Sequence, residues 1–390
     1  MTLMIPYARQ DISEEDIQAV VDVLRSDYLT QGPAVPAFEK MVAEYCSVHY
    51  AVAVNSATSA LHIACLALNV GPGDVVWTTP ITFVASANCV LYCGASIDFV
   101  DIDPRTYNIN EDRLAEKLAE AQKLGKLPKV VIPVHLCGQS CNMERIHQLS
   151  KQYGFKVIED ASHAIGGKYK GEPIGNCCYS DITVFSFHPV KIITTGEGGM
   201  AVTNNKALAK HMQLLRSHGI STALSDMNAR PPLEVWNYQQ IDLGFNYRMN
   251  DIQAALGLSQ MHRLDQFVSK RNVLAERYNQ LLSIFPVEVP WQNKDCYSSY
   301  HLYVIRLKLN EIKKSQRQIY QEIRDAGVLI NLHYIPVYRQ PYYENRGFVS
   351  GYCIEAEKYY TEVISIPLYS ALTEEQQNRV VTTICKVIQL

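Results

Sequence analysis

The amino-acid sequence predicts an α/β protein whose main sheet is mostly parallel. Apolar runs rich in β-branched residues alternate with helical patterns through the first half of the chain. Such runs are typical of strands covered on both faces, as in parallel sheets. The length of 390 residues predicts more than one domain. We expect a large α/β domain over residues 1–250, and linking helices with a smaller C-terminal α+β domain over residues 251–390.

The first predicted element is an amphipathic helix in DISEEDIQAVVDVLRS, at the start of the large domain. Ser13 is a candidate N-cap, and Asp16 lies three residues further on. The apolar positions recur at helical spacing, at Ile17, Val20, Val21 and Leu24.

Strands and helices then alternate. The predicted strands are AVAV, VVWT, IDFVDI, KVVIPVHL, FKVIED, DITVFSF and MAVTN, and the helices between the first five cover residues 57–69, 83–93, 112–123 and 143–153. The segment STALSDMNARPPLEVWNYQQIDL has neither pattern, and long irregular segments are often functional loops.

The remaining third of the chain predicts the smaller domain. Two helical patterns cover residues 250–285. The strand-like runs HLYVIRLKL, LINLHYIP and VISIPL follow, with a helix over residues 315–326 and a final helix starting at Thr373.

Charge and cysteine content exclude several classes of protein. The net charge is -3, so no overall field favours nucleic acid or an anionic membrane surface. The eleven cysteines are scattered through apolar runs, as expected in a reducing compartment, and neither a signal peptide nor a membrane-spanning run is apparent. We expect a cytoplasmic protein. Cys137, Cys141 and His135 lack a second ligand pair, so no metal site is expected.

Three motifs follow predicted strands, where ligands bind in α/β sheets. In VNSATSALHI, hydroxyl side chains open a helix after a strand. Helix N-termini attract phosphate through free N–H groups and the helix dipole. Ser and Thr are also common N-caps without any ligand. Neither a Walker loop nor G-x-G-x-x-G is present, which argues against nucleotide hydrolases and dinucleotide enzymes.

The second motif, FKVIEDASHAIG, ends a strand with Glu159 and Asp160 and places His163 three residues later. A buried carboxylate needs a positive partner or donors, and a protonated ring nitrogen of a cofactor would serve. Alternatively, Asp160 caps the next helix and His163 is solvated.

The third motif, FSFHPVKIITTGEGGM, places Lys191 between a strand and a glycine-rich turn. An apolar setting lowers the pKa of a lysine and makes its amine nucleophilic; a surface lysine is the alternative. Together the three motifs supply a phosphate site, an acid for a ring nitrogen and an amine for an aldehyde. Pyridoxal 5′-phosphate (PLP) requires these groups.

The sequence resembles the DegT/DnrJ/EryC1/StrS family of PLP-dependent sugar aminotransferases, which have the fold-type I aminotransferase fold. The resemblance extends over nearly the whole chain, through YLTQGPAVPAFE, NSATSALH, TTPITFVASANCVLYCGA, EDASHAIG, FSFHPVKIITTGEGG and LGFNYRMNDIQAALGLSQ. Within the family it is most similar to the transaminases of pseudaminic acid biosynthesis, through EDASHA, LRSHGI and HYIPVYRQPYY.

The resemblance implies a role for each matching residue. Lys191 matches the lysine linked to PLP, Asp160 the acid bonded to the pyridine nitrogen, and His163 the contact to the ring oxygen. Thr58, Ser59 and Ser186 match phosphate contacts, and Phe83 matches the stacked aromatic residue. Asn246 and Arg248 match a segment that reaches the neighbouring subunit's site in a homodimer. Weaker candidates for substrate contacts are Tyr7, His188, His333 and Tyr334, which packing or loop hydrogen bonds could also explain.

The resemblance implies transfer of an amino group from L-glutamate to C4 of a UDP-linked 4-keto-2-acetamido-6-deoxyhexose. The alternatives are a 3-keto or perosamine-type sugar aminotransferase and a non-catalytic PLP-binding protein. Lys191 argues against the family's sugar dehydratases, in which histidine replaces this lysine.

Overall fold

The computed structural model describes residues 4–228, 234 and 236–389. The helices are α1 (Glu14–Leu24), α2 (Ala34–Cys46), α3 (Ala57–Ala67), α4 (Ala85–Tyr92), α5 (Glu111–Lys123), α6 (Met143–Tyr153), α7 (Lys206–Leu215), α8 (Asp251–Met261), α9 (Leu264–Leu282), α10 (Gln316–Asp325), α11 (Pro341–Glu344), α12 (Ile354–Glu362) and α13 (Glu374–Gln389). The strands are β1 (Tyr50–Val54), β2 (Val75–Thr78), β3 (Ser96–Phe99), β4 (Val130–Ile132), β5 (Lys156–Asp160), β6 (Lys168–Tyr169), β7 (Glu172–Pro173), β8 (Ile182–Ser186), β9 (Gly199–Thr203), β10 (Ile220–Ser221), β11 (Gln239–Gln240), β12 (Val287–Glu288), β13 (Cys296–Tyr297), β14 (Tyr303–Leu307) and β15 (Val363–Ile366).

The main sheet has seven strands in the order β1-β9-β8-β5-β4-β2-β3. Strand β9 is antiparallel to its neighbours β1 and β8, and the other pairs are parallel. Helices cover both faces, so apolar residues on successive positions of one strand are all buried. On β1, Val52 and Val54 pack in one cluster, while Ala51 and Ala53 pack in another. The predicted α/β fold with a mostly parallel sheet is confirmed.

A second unit forms from the C-terminal third. Its antiparallel sheet has the order β12-β14-β15 and packs with apolar residues of α9, α10 and α13. The first described residues join this unit, because Ile5 pairs with Val328 and the carbonyl of Tyr7 accepts from the amide of Leu368 at 3.1 Å. The division of the chain at residue 250 stays a prediction.

Helix α1 begins as predicted, with Ser13 and Asp16 forming a capping box. Its packing differs from the amphipathic pattern, because Ile17 and Leu24 are 47% and 54% exposed while Asp16 is fully buried. Asp16 accepts hydrogen bonds at 2.6 Å from Ser259 and Gln260 of α8. The polar side of α1 therefore makes the contact within the chain.

The run LINLHYIP was expected to form a strand, and this prediction is wrong. Asn331 makes two backbone hydrogen bonds with Ser365, and the amide of Leu329 donates to the carbonyl of Ile5 at 2.8 Å, but the run forms no continuous strand in the described residues. Pro336 cannot donate to a sheet, and the chain turns towards a cavity instead.

The irregular segment predicted after residue 220 contains the two-residue strands β10 and β11, and its residues 229–233 and 235 lie outside the described residues. No helix in the described ranges is long and apolar enough to cross a membrane.

Candidate active site

A cavity of about 620 Å³ lies beyond the carboxyl ends of β1, β2, β5 and β8, where ligands bind in this class of sheet. Most of the predicted site residues line it, namely Tyr7, Thr58, Phe83, Asp160, His163, Ser186, His188, Lys191, His333 and Tyr334. Ser59, Asn246 and Arg248 are outside this lining.

Asp160 ends β5 and is 4% exposed. The hydroxyl of Ser86 donates to its Oδ2 at 2.6 Å, and the amide of Ser162 donates to Oδ1 at 3.1 Å. A further hydroxyl, that of Thr82, lies 2.7 Å from Ser86 Oγ. The carboxylate has no ion pair among the described residues. It is therefore held in place with its negative charge available to a ligand.

Glu159 lies on the opposite face of the sheet, as alternation along a strand requires. Its Oε2 lies 2.7 Å from Nε2 of His135, and both side chains are buried. The Nδ1 atom of His135 accepts from the amide of Cys141 at 3.1 Å, so Nε2 carries the proton in the neutral ring and donates to Glu159. This pair fixes the strand beneath Asp160 without entering the cavity.

Lys191 lies in the connection between β8 and β9. The amide of Thr195 and the hydroxyl of Thr194 both donate to the carbonyl of Phe187, each at 3.0 Å, which folds the connection tightly. Gly199 follows, and a Cβ there would lie 2.5 Å from the amide nitrogen of Ala57. Glycine therefore permits the start of α3 to approach the lysine-bearing loop.

The amine of Lys191 is shifted towards its neutral form. Burial lowers its pKa from 10.5 to about 8, although the negative charge of Asp160 acts in the opposite direction. A neutral amine is the nucleophilic form. The structure therefore places a buried amine of lowered pKa at the position where the sequence predicts a reactive lysine.

His163 is a neutral donor. Burial lowers its pKa well below 6.5, and the positive charge of Lys191 adds to this effect. Its Nδ1 accepts from the amide of Cys137 at 3.3 Å, so the proton resides on Nε2. Nε2 lies 3.3 Å from the hydroxyl of Tyr334, which places an N–H group at the cavity wall.

The N-terminus of α3 forms another wall. The hydroxyl of Ser56 accepts from the amide of Ser59 at 3.1 Å, and the hydroxyl of Ser59 donates to Asn55 at 2.7 Å. Ser59 therefore acts within the cap. The amides of Ala57 and Thr58 have no earlier helical carbonyl to bond, and Ser186 lines the cavity nearby at the end of β8. These groups can receive an anion.

Aromatic residues and histidines occupy the remaining walls. Phe83 is 59% exposed, with its ring centroid 6.4 Å from that of Tyr334. Tyr7 packs against His333 at 5.5 Å. Nδ1 of His333 lies 2.8 Å from Ser365 Oγ, so this histidine also has a structural contact. The ring of His188 accepts from the amide of Val190 at 3.5 Å, a contact within its own loop.

Asn246 and Arg248 lie beside the start of α3 but outside the cavity. Residue Arg248 bridges Val54, and the carbonyl of Asn246 accepts from Asn55 Nδ2 at 3.4 Å. Among the residues described, the side chain of Arg248 has neither a hydrogen bond nor an ion pair. This chain alone therefore does not give Arg248 a role.

The cavity also contains residues that sequence analysis missed. His301 and Asn331 line it, and Ser86 supports Asp160. His301 stands directly before the apolar run of β14, where its only signal is a polar residue preceding a buried strand. Nothing in the sequence connects it to Lys191, from which it is 110 residues distant.

Comparison with known proteins identifies the family. The DegT/DnrJ/EryC1/StrS aminotransferase family matches residues 10–385. The chain belongs to this family. It is 36% identical over 389 residues to the UDP-4-amino-4,6-dideoxy-N-acetyl-beta-L-altrosamine transaminase of Campylobacter jejuni, covering 99% of this chain and 98% of that one.

Two solved structures share the fold of this aminotransferase. One is Helicobacter pylori PseC, an aminotransferase involved in the biosynthesis of pseudoaminic acid, with a TM-score of 0.89, 32% identity and 99% coverage of both chains. The other is Spr1654 of Streptococcus pneumoniae, solved in a PMP form with the same TM-score, identity and coverages and also in a PLP form. The predicted fold type, enzyme class and PLP cofactor are confirmed at the level of the family.

The cavity fits PLP on its own chemistry. It combines an amine of lowered pKa at Lys191, a carboxylate at Asp160 that has no ion pair with any described residue, and a donor at His163. The helix N-terminus at Thr58 would hold the phosphate, and Phe83 would cover the ring. When bound, PLP supplies an electron sink for the negative charge that develops at the carbon bearing the amino group.

The lowered pKa of Lys191 predicts a distinct pH profile for its reactivity. In the cofactor-free protein, acylation of this amine should speed up about tenfold per pH unit until about pH 8 and then level off, because only the neutral amine reacts. At pH 7 roughly a tenth of it would be neutral. Mass spectrometry of the Lys191 peptide measures the rate, with acetyl-lysine amide as an internal standard of ordinary pKa. A rate still rising at pH 10 would contradict the lowered pKa.

Proposed function

We propose that this aminotransferase moves an amino group from L-glutamate to C4 of a UDP-linked 4-keto-2-acetamido-6-deoxyhexose, giving the UDP-4-amino sugar of the pseudaminic acid pathway. The convergence of Lys191 and Asp160 in one cavity, in a chain of this family, supports the chemistry. The names of the Campylobacter and Helicobacter relatives support the substrate.

Each site residue has a proposed task in the two half-reactions. The free amine of Lys191 would remove the proton from the α-carbon of the amino donor in the first half-reaction, and it would deliver a proton to C4 of the sugar in the second. The carboxylate of Asp160, which accepts a hydrogen bond from the Ser86 hydroxyl, would keep the ring nitrogen of the cofactor protonated. The neutral imidazole of His163 would donate a hydrogen bond from Nε2 to the ring oxygen of the cofactor. Tyr7, His333 and Tyr334 would contact the substrates from one side of the cavity, and His188 from the loop that carries Lys191.

Product analysis tests the substrate. The PLP-loaded enzyme and L-glutamate would be incubated separately with the 4-keto UDP sugar, a 3-keto nucleotide sugar and a perosamine-type 4-keto sugar. We expect 2-oxoglutarate and an amino sugar, identified by mass, to form fastest from the first. Preference for another ketosugar would overturn the assigned substrate but not the transamination, whereas no conversion of any would favour a non-catalytic PLP-binding role.

We further propose a homodimer whose subunits complete each other's sites. Arg248 and Asn246 lie beside the start of α3, where we place the phosphate, but outside their own cavity. The same segment exposes the apolar side chains of Tyr238, Ile241 and Leu243, which a second copy would cover.

Mixed dimers test the shared site. Lys191→Ala and Arg248→Ala chains carrying different affinity tags would be co-expressed and the heterodimer isolated. If Arg248 serves the neighbour, one of the two sites retains both residues, and we expect about half of the wild-type activity per dimer. If Arg248 serves its own subunit, the heterodimer should be no more active than the sum of the single variants.

We also infer a cytoplasmic location. All eleven cysteines are free thiols, and seven of them are buried. Free thiols are the usual state in a reducing compartment.

A further inference from the structure

His301 lies in the cavity wall with one ring nitrogen directed at Lys191 and the other without a partner. Its side chain is 2% exposed, and Nε2 lies 3.5 Å from Nζ of Lys191. Within the described ranges, Nδ1 has no hydrogen-bond partner. Buried polar atoms in native proteins are nearly always hydrogen-bonded. The amine of Lys191 is therefore the one hydrogen-bond partner of this ring among the described residues.

The backbone around His301 is held firmly. The guanidinium of Arg271 donates to the carbonyls of Tyr300 and His301, both at 3.2 Å, and to Leu368 at 3.0 Å. The hydroxyl of Ser299 donates to the carbonyl of His163 at 2.8 Å. The imidazole itself packs against that of His163, with ring centroids 4.4 Å apart. The His301 ring is therefore held both through its own backbone and by contact with the ring of His163.

The surroundings keep His301 neutral. Burial lowers its pKa well below 6.5, and the nearby positive charges of Lys191 and Arg271 act in the same direction. A neutral imidazole has one unprotonated nitrogen that can accept a hydrogen bond. The titratable or charged groups that interact with Lys191 or with His301 are Asp160, His163, Arg271 and His333. Asp160 is the one anion among them, so a second cation beside Lys191 would be unfavourable.

We propose that His301 accepts a hydrogen bond at Nε2 from the amine of Lys191 whenever that amine is not covalently bound, and so aims it at the reacting carbon. This inference rests on the proposed role of Lys191. Lysine has a flexible four-carbon stem, and a misplacement of about 1 Å can lower a rate about a hundredfold. The present distance of 3.5 Å is at the long end for a hydrogen bond, so we expect a modest effect on the pKa. No covalent bond is made or broken by His301.

Two variants distinguish the effect of the hydrogen-bond acceptor on His301 from the effect of the ring's shape. His301→Phe removes the acceptor and keeps the shape, whereas His301→Gln supplies an amide oxygen. In the cofactor-free protein, we expect the midpoint of the Lys191 acylation profile to fall by about one pH unit in the phenylalanine variant, because the ammonium form loses its acceptor. The glutamine variant should stay close to the wild type. An unmoved midpoint in His301→Phe, or an equal shift in both variants, would overturn the proposal.

Two further measurements make the result specific. In the PLP-loaded enzyme, His301→Phe should lower kcat about tenfold while KM for both substrates stays within about twofold. Borohydride reduction should still attach the cofactor to Lys191 in both variants. Absence of that adduct in the wild type would refute the proposed function itself, whereas its presence with an unmoved midpoint would refute only the role of His301. If His301→Phe does not fold, His301→Leu is a second variant without an acceptor.

Discussion

Replacing Lys191 by alanine is expected to lower kcat of amino transfer by about 10⁴-fold or more, since the change removes both the nucleophile and the proton carrier. Burial has already lowered the pKa of this amine to about 8, and no other lysine among the described residues lines the cavity. The measurement is formation of 2-oxoglutarate from L-glutamate by protein loaded with saturating PLP.

Lys206→Ala is the matched control for this change. Lys206 is exposed at the start of α7, outside the cavity, and its loss should leave kcat unchanged. Circular dichroism and Tm would show that both variants fold. An alanine variant at position 191 that kept more than about 1% of the wild-type kcat would refute the assigned role.

Replacing Asp160 by asparagine is expected to weaken PLP binding by about 2–5 kcal/mol, which is roughly 30- to 5,000-fold in Kd. Asparagine can keep an acceptor for Ser86 or Ser162 but loses the negative charge. A neutral side chain cannot hold the ring nitrogen protonated, so kcat should remain low even at saturating cofactor. Titration of the cofactor-free protein with PLP, followed by absorbance, gives the Kd.

Glu172→Gln is the control for the loss of a carboxylate, because Glu172 is exposed on β7. It should bind PLP as the wild type does. If Asp160→Asn bound PLP as tightly as the wild type, another residue would have to interact with the ring nitrogen.

Local sequence signals predicted much of the fold. The capping box at Ser13 and the boundaries of α6 need only neighbouring residues, and the structure places both as predicted. The prediction of a strand failed at LINLHYIP, because apolar composition alone does not distinguish a strand from a buried irregular segment. The amphipathic pattern also failed at α1, where the buried side was decided by the hydrogen bonds of Asp16 with α8.

The site was predictable where it follows a strand and unpredictable where it depends on distant contacts. Asp160 stands at a strand end and Lys191 in the loop that follows a strand, each within a recognisable motif. Ser86 reaches Asp160 across 74 residues, and His301 reaches Lys191 across 110. Such pairings arise from the order of strands in the sheet, which neither periodicity nor composition specifies.

The two sides of the cavity come from separate parts of the fold. Asp160 and Lys191 belong to the seven-stranded sheet and its loops, whereas Tyr7 and His333 come from segments bonded to the three-stranded sheet. Substitutions on the second side would leave the supports of Asp160 intact. The amino-transfer chemistry would therefore be retained while the shape of the sugar-binding side changes. Proteins with this fold could then act on differently substituted sugars.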